Sequence, residues 1–301
     1  MLSRIAESFF WLGRYLERGE ATARLLAEHH QLIVEDRSVV EDVACDALLQ
    51  ALALPNDGVT TATQLVSAVV GGEGSASTII GAVAAARDNA RAVRDSLNGD
   101  IFEALNAAHL SLARGLAFRG SPGVALNNVV ERLLVVNGVI DWTMSRDEAY
   151  YFMVLGKELE RIDMTGRVLA VHHDAFWETG GPVAALRASG ALSAFLRSGM
   201  PLTGDEVRRF LVTDATFPRA MLSCAVDAED AVRHLERLGI GGSSALLREA
   251  GRLRSLLDYS TDTLPEHVDR LASEARTAAA RTADEVSRTY FRQHGTITWS
   301  H

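Results

Sequence analysis

Lysine is almost missing from this chain. Of its 30 basic residues, only Lys157 is lysine and the rest are arginine. No Gly-Lys-Ser/Thr tripeptide exists, so a P-loop NTPase is excluded, and Schiff-base chemistry would have a single residue to use. Cysteine is scarce as well. Cys45 and Cys224 lie far apart and form no C-x-x-C, so neither a zinc knuckle nor a disulfide framework is indicated. They read as small buried hydrophobes in a reducing compartment. Six prolines and 6% aromatics in 301 residues argue against a many-stranded sandwich or barrel. No run of 18 apolar residues is free of charge, so no membrane span is expected. The start Met1-Leu2-Ser3-Arg4 reaches Glu7 within a turn, which is not a signal peptide. A cytoplasmic location is the expectation. Acidic residues outnumber basic ones, for a net charge of -9, which argues against a general polyanion binder such as a nucleic-acid-binding protein and leaves room only for a local basic patch.

What remains is rich in Ala, Leu, Arg and Glu, with 48% hydrophobic residues, enough for a sizeable core and an all-α fold. Apolar positions recur every three or four residues from Ser3 to about Val34, which predicts one long helix. Further helices are expected at 38–53, 60–70, 75–97, 100–118, 124–143 and 145–177. Others are expected at 183–198, 204–212, 217–238, 243–259 and 265–293, each bounded by Gly, Ser, Asn or Pro punctuation. No convincing period-two strand is present, and the chain reads as one domain over residues 1–301.

The strongest internal signal is a repeat. Shifted by 143 positions, Ser3–His30 aligns with Arg146–His173, and 13 of the 28 pairs are identical. Among them are Phe9/Phe152, Gly13/Gly156, Glu17/Glu160, Arg18/Arg161, Thr22/Thr165, Arg24/Arg167 and the pair His29-His30/His172-His173. Arg14/Lys157 and Glu20/Asp163 keep the charge. On a helix, Gly13, Glu17, Glu20 and Arg24 form one strip, and Arg14, Arg18 and Thr22 form its neighbour. Glycine inside a helix costs about 1 kcal/mol relative to alanine, so its appearance at the same place twice implies close approach of another backbone or a ligand. The simplest geometry packs the two helices face to face about a pseudo-twofold axis, making a multi-helix bundle with two pseudo-repeated helices at its centre.

Two readings of the charged strips stay open. In one they form a buried ion network joining the repeats, with Glu20 on Arg24 and Glu17 on Arg167, because charges beside an apolar stripe must be paired. In the other, Arg14, Glu17, Arg18, Glu20, Arg24, Lys157, Glu160, Arg161, Asp163 and Arg167 line a polar cleft that binds a carboxylate, a phosphate or a peptide end. No Glu-x-x-His occurs, and arginines crowd Glu17-x-x-Glu20 and Glu160-x-x-Asp163, so no metal or other cofactor is expected. The adjacent histidines of His29-His30 and His172-His173 point about 100° apart on a helix and cannot chelate one ion; they read as helix-end or interface residues. Arg87, Arg91 and Arg94 share a helix face near Asn89, either gripping an anionic partner or facing solvent. Gly239-Ile240-Gly241-Gly242 lacks a preceding strand and carries little weight as a nucleotide loop.

Leu2 to Glu7, then Trp11-Leu12-Gly13-Arg14-Tyr15-Leu16-Glu17-Arg18-Gly19-Glu20 and Thr22-Ala23-Arg24-Leu25-Leu26, resemble the opening signature of the bacterial alpha-E family, helical proteins with a Glu-Arg motif. Leu155 to Arg167 resembles its second Glu-Arg segment, Arg87-Asp88-Asn89-Ala90-Arg91 its central arginine motif, Phe217-Pro218-Arg219 a later helix start, and Tyr290-Phe291-Arg292 its C-terminal element. Phe9-Phe10, Gly19 and Lys157 depart from the usual Leu-Tyr, Ala and Arg. The resemblance implies partnership with a circularly permuted ATP-grasp protein, often beside a transglutaminase-like peptidase, in a peptide synthesis or modification system. It supplies no settled activity for the helical component. The expected role is accessory and substrate-positioning. The alternatives are an enzyme with Glu17 or Glu160 as general base, and a purely structural homodimeric bundle.

Overall fold

The computed structural model describes residues 3–36, 38–72, 74–115, 120–171, 180–240, 244–260 and 265–291. The sequence readings at His172, His173, Trp177, Phe118, Gly241, Gly242, Leu2 and Arg292 lie outside the described residues. Among those described, the chain forms α-helices and no strand. In order they are α1 (Ser3–Glu35), α2 (Glu41–Ala51), α3 (Ala62–Val70), α4 (Ile79–Ala92), α5 (Gly99–Ala113), α6 (Pro122–Thr143) and α7 (Glu148–Val171). There follow α8 (Gly181–Ala188), α9 (Leu192–Ser198), α10 (Gly204–Thr213), α11 (Met221–Arg237), α12 (Ser244–Asp258) and α13 (Pro265–Val286), with a π-helical turn at Ser287–Phe291.

Local chemistry sets the ends. Thr61 and Gln64 make a reciprocal capping box at α3, Thr78 accepts from the Gly81 amide at α4, and Thr203 accepts from the Glu206 amide at α10; each satisfies backbone donors left over in a first turn. The single helix expected at 183–198 is in fact two. Gly190 takes φ +66°, and the Ser189 and Gly190 amides close back on Ala185 and Arg187 carbonyls, which ends α8 in a left-handed cap before α9 starts. The helix expected to start at 217 begins at Met221, after a turn that holds Phe217, Pro218 and Arg219.

α1 and α7 pack most extensively on each other and form the centre. α4 and α6 flank α1, while α11 and α13 flank α7. Because α1 buries almost its whole circumference, Phe9, Phe10, Leu12, Leu16, Leu25 and Leu26 are all nearly or fully inaccessible. The start of α1 and the π-helical turn meet there as well: Ser3 donates to the Tyr290 carbonyl at 2.7 Å, and the rings of Phe10 and Phe291 lie 5.5 Å apart. α6 has the length and composition to cross a membrane. In this fold Leu126, Val129, Leu133 and Val136 pack it into the core against α1 and α5, and Glu131 and Arg132 sit at its exposed middle.

Candidate functional site

The central pair meets at glycine. A Cβ on Gly13 would lie 2.1 Å from the Met153 carbonyl oxygen, and one on Gly156 would lie 2.1 Å from that of Phe10. One turn further on, Glu17 meets Arg161 and Glu160 meets Arg18. In all four contacts the partners lie within three positions of the 143-residue offset. α1 and α7 therefore run parallel and in register, and each contact has its reciprocal. Close backbone approach at the glycines brings the charged strips of both helices into one layer.

Both oxygens of each of the four strip carboxylates in that layer accept a hydrogen bond. Glu160 accepts from Arg14 Nε at 2.7 Å and from Arg18 through Nε and Nη2. Glu17 accepts from Arg161 Nε at 2.8 Å and from Arg219 Nη1. Glu20 accepts from Arg24 Nε at 3.0 Å, Arg219 Nη2 at 2.7 Å and Asn137 Nδ2 at 3.1 Å. Asp163 accepts from Arg167 at 2.6 Å and from Arg276 through Nε and Nη2. Burial by itself would raise the pKa of Glu17, but the guanidinium groups of Arg161 and Arg219 outweigh it and hold the group ionised below the usual carboxylate range. Burial likewise opposes Asp163, and Arg167 and Arg276 bring it below its ordinary value. Arg161 moves the other way, pushed well up by Glu17 and Glu158 against its own desolvation. Such a layer is a charge-neutralising network in which breaking one partner strands another.

One pairing in the sequence reading needs correction. Glu17 pairs with Arg161 and Arg219, not Arg167, whose Nη1 donates to the Ala51 carbonyl at 2.6 Å while its Nε holds Asp163. Arg87, Asn89 and Arg91 lie apart from the central layer. Arg87 donates to Asn106 at 2.8 Å, Asn89 bonds back to the Ala85 carbonyl, and Arg91 is exposed. The remaining residues of the strips, including Lys157, do come together around the α1–α7 pair.

A cavity of about 460 Å³ opens beside the layer, between α1, α6, α7 and the turns at 189–190 and 217–219. Leu16, Leu134, Ile140, Met153, Val154 and Phe217 supply apolar wall; Arg24, Lys157, Arg161 and Arg219 supply cations. Tyr150 lines it too, with a phenol pKa raised by burial. Concave, mostly apolar space with a few convergent polar groups is the usual form of a small-molecule site. Among the described residues no group of three His, Cys, Asp or Glu side chains is placed to hold a metal ion. His29 is buried, with Nε2 2.8 Å from the Ala44 carbonyl, and burial lowers its pKa to about 4.

The residues that sequence reasoning did not place are Arg219, Asn137, Arg276 and Ser189. All lie outside the repeat, so the 143-residue offset carries no trace of them. Stoichiometry holds the clue to Arg219: two buried carboxylates on one strip, Glu17 and Glu20, need more donors than Arg24 and one arginine of α7 can give.

No curated protein and no solved structure matches this chain. A family model described as a predicted alpha-helical domain with a conserved ER motif matches residues 1–291. With Glu17-Arg18 and Glu160-Arg161 crossing over to bind one another at the centre of an all-helical bundle, the chain belongs to the alpha-E family.

Proposed function

We propose that this protein is a non-catalytic helical partner of an ATP-dependent ligase of the circularly permuted ATP-grasp kind, in the cytoplasm. It holds an organic substrate, a carboxylate, amine or peptide, in the cavity beside the Glu-Arg layer and presents it for condensation. A transglutaminase-like protein belongs to the same peptide modification system. One observation carries this reading: a ligand-sized cavity abuts a layer whose carboxylates have no free oxygen. A general base must accept a proton from substrate. Glu17 is held ionised by two arginines, and both oxygens of the fully inaccessible Glu160 are occupied, so neither is available for that work. The layer shapes the cavity, and the reaction is supplied by the partner.

The outer side of α6 supports a docking role. Val124, Val135 and the 91% exposed Trp142 face outward on the same helix whose Leu134, Asn137 and Gly138 line the cavity. A ligase seated on that strip would bury it and close over the cavity mouth. Co-purification with the ligase, and ligase turnover with and without this protein, test the proposal. Complex formation and faster turnover are expected, with the gain abolished by Val154→Trp, which fills the cavity. No complex together with unchanged turnover overturns it.

A further inference from the structure

The near-symmetry of the central layer is broken at the Arg14/Lys157 pair. On the first-repeat side, Arg14 is fixed on Glu160 through Nε and Nη2, and the Phe10 and Trp11 rings lie against its guanidinium, the Trp11 centroid 5.4 Å away. Its counterpart in the second repeat, Lys157, should hold Glu17 in the same way. Arg219 occupies that place. Lys157 instead reaches Glu158 with an Nζ to oxygen distance of 3.3 Å and lines the cavity. The only lysine of the chain thus makes no hydrogen bond to Glu17 and sits at the edge of the network, joined to it through Glu158 and Arg161, on the side where the cavity opens.

The polar groups around that cavity are unequal in kind. Arg24 commits Nε to Glu20, and a Cβ at Gly190 would lie 3.7 Å from Arg24 Nη1, so its terminal nitrogens reach the 189–190 turn. Ser189 Oγ is buried, lines the cavity and has no hydrogen-bond partner among the described residues. Against these donors, the lining carboxylate of Glu20 is already saturated by Arg24, Arg219 and Asn137. Asp141 is exposed at the edge. A ligand that satisfies this surface must bring acceptors and negative charge to the inside, and apolar bulk to the Leu16, Leu134, Val154 and Phe217 wall.

We propose that the cavity is a carboxylate site, in which Lys157, the terminal nitrogens of Arg24 and Ser189 Oγ hold the carboxylate of a small molecule whose body is apolar, as in an acylated amino acid or the C-terminus of an apolar peptide. This rests on the substrate-holding role proposed above and narrows it to the acid component of the condensation. Lys157 is a binding residue here, and no covalent bond to it is involved.

The test is titration of the full chain with N-acetyl-leucine, its amide, leucine amide and inorganic phosphate, followed by calorimetry and ligand-observed NMR. N-acetyl-leucine alone should saturate. Lys157→Gln should weaken it by about tenfold or more, the scale of one charge-assisted hydrogen bond, and Lys157→Arg should restore it. Circular dichroism on each variant establishes that it is folded. Equal binding of the two amides, equal binding of phosphate, or an unchanged affinity in folded Lys157→Gln overturns the proposal. If no probe binds while the ligase still responds to the chain, the carboxylate assignment falls and the partnership stands. If the ligase is indifferent as well, both fall.

Discussion

Gly13 and Gly156 face each other across the central helix pair, each lying where the other helix's backbone passes: the space of a methyl on either is already taken by a carbonyl oxygen, Met153 on one side and Phe10 on the other. The glutamate-arginine contacts one turn further along depend on that separation. Gly13→Ala and Gly156→Ala should each cost roughly 3 kcal/mol or more, the upper range for overpacking, because the obstruction is backbone and cannot rotate away. Urea denaturation checks this. By contrast Gly138→Ala, with nothing within 4 Å of the added Cβ, should hold or slightly raise stability, since alanine is the better helix former.

Glu17→Gln and Glu160→Gln should each destabilise by about 3–5 kcal/mol, the cost of removing one member of a buried ion pair and stranding the other. Arg91→Ala, at an exposed position outside the network, should stay within about 0.5 kcal/mol of the parent. Chemical denaturation of the three variants side by side makes the comparison. Near-native stability of Glu17→Gln would remove the structural reading of the layer.

The parts of this arrangement that were readable from sequence are those for which a residue type and a period both point the same way. Glycine at the same place in two long amphipathic segments demands close approach, and the structure has it at Gly13 and Gly156. The arginine face of α4 shows the limit of periodicity. Arg87 and Arg91 share a face, but only the packing of Val83, Ala86 and Ala90 against the core decides that this face points outward. Arg219 is hidden for another reason. It comes from a turn 58 residues beyond Arg161, and nothing local in Phe217-Pro218-Arg219 says that the side chain enters a layer made by two distant helices. The division between α8 and α9 was legible in Ser189-Gly190, a glycine following a helical run that ends in Arg187, and merging them gave too little weight to the left-handed cap.

Thr22 and Thr165 occupy equivalent places in the two repeats and have opposite fates. Thr165 Oγ1 donates to the Arg219 carbonyl at 2.9 Å, whereas Thr22 Oγ1 is buried with no hydrogen-bond partner among the described residues. Thr165→Val should therefore lose about 1 kcal/mol or more, since the carbonyl also loses its donor, while Thr22→Val should be neutral or stabilising by about 1 kcal/mol. Opposite signs from one substitution at two equivalent positions, read from denaturation midpoints, would show that the second-half turn at 217–219 breaks the symmetry energetically as well as geometrically.

Buried His29 gives the fold an acid sensitivity, to which His30, its pKa also lowered by burial, adds in the same direction. Burial, against the pull of the Ala44 carbonyl, lowers the pKa of His29 from an ordinary 6.5 to about 4. Between these values the unfolded chain binds a proton that the folded chain refuses, so stability falls as pH drops from about 6.5 to about 4, by up to about 1.4 kcal/mol per pH unit. Glu17 and Asp163 act lower on the scale. Their depressed values stabilise the fold above the ordinary carboxylate range and lose that contribution only as pH falls below it. His29→Gln retains a side-chain amide able to donate to the Ala44 carbonyl and has no titration in this window. Its stability between pH 6.5 and 4.5 should be flatter than the parent's, with the steep acid limb below pH 4 intact. If unfolding curves of parent and variant run parallel across that interval, His29 is not the source of the slope.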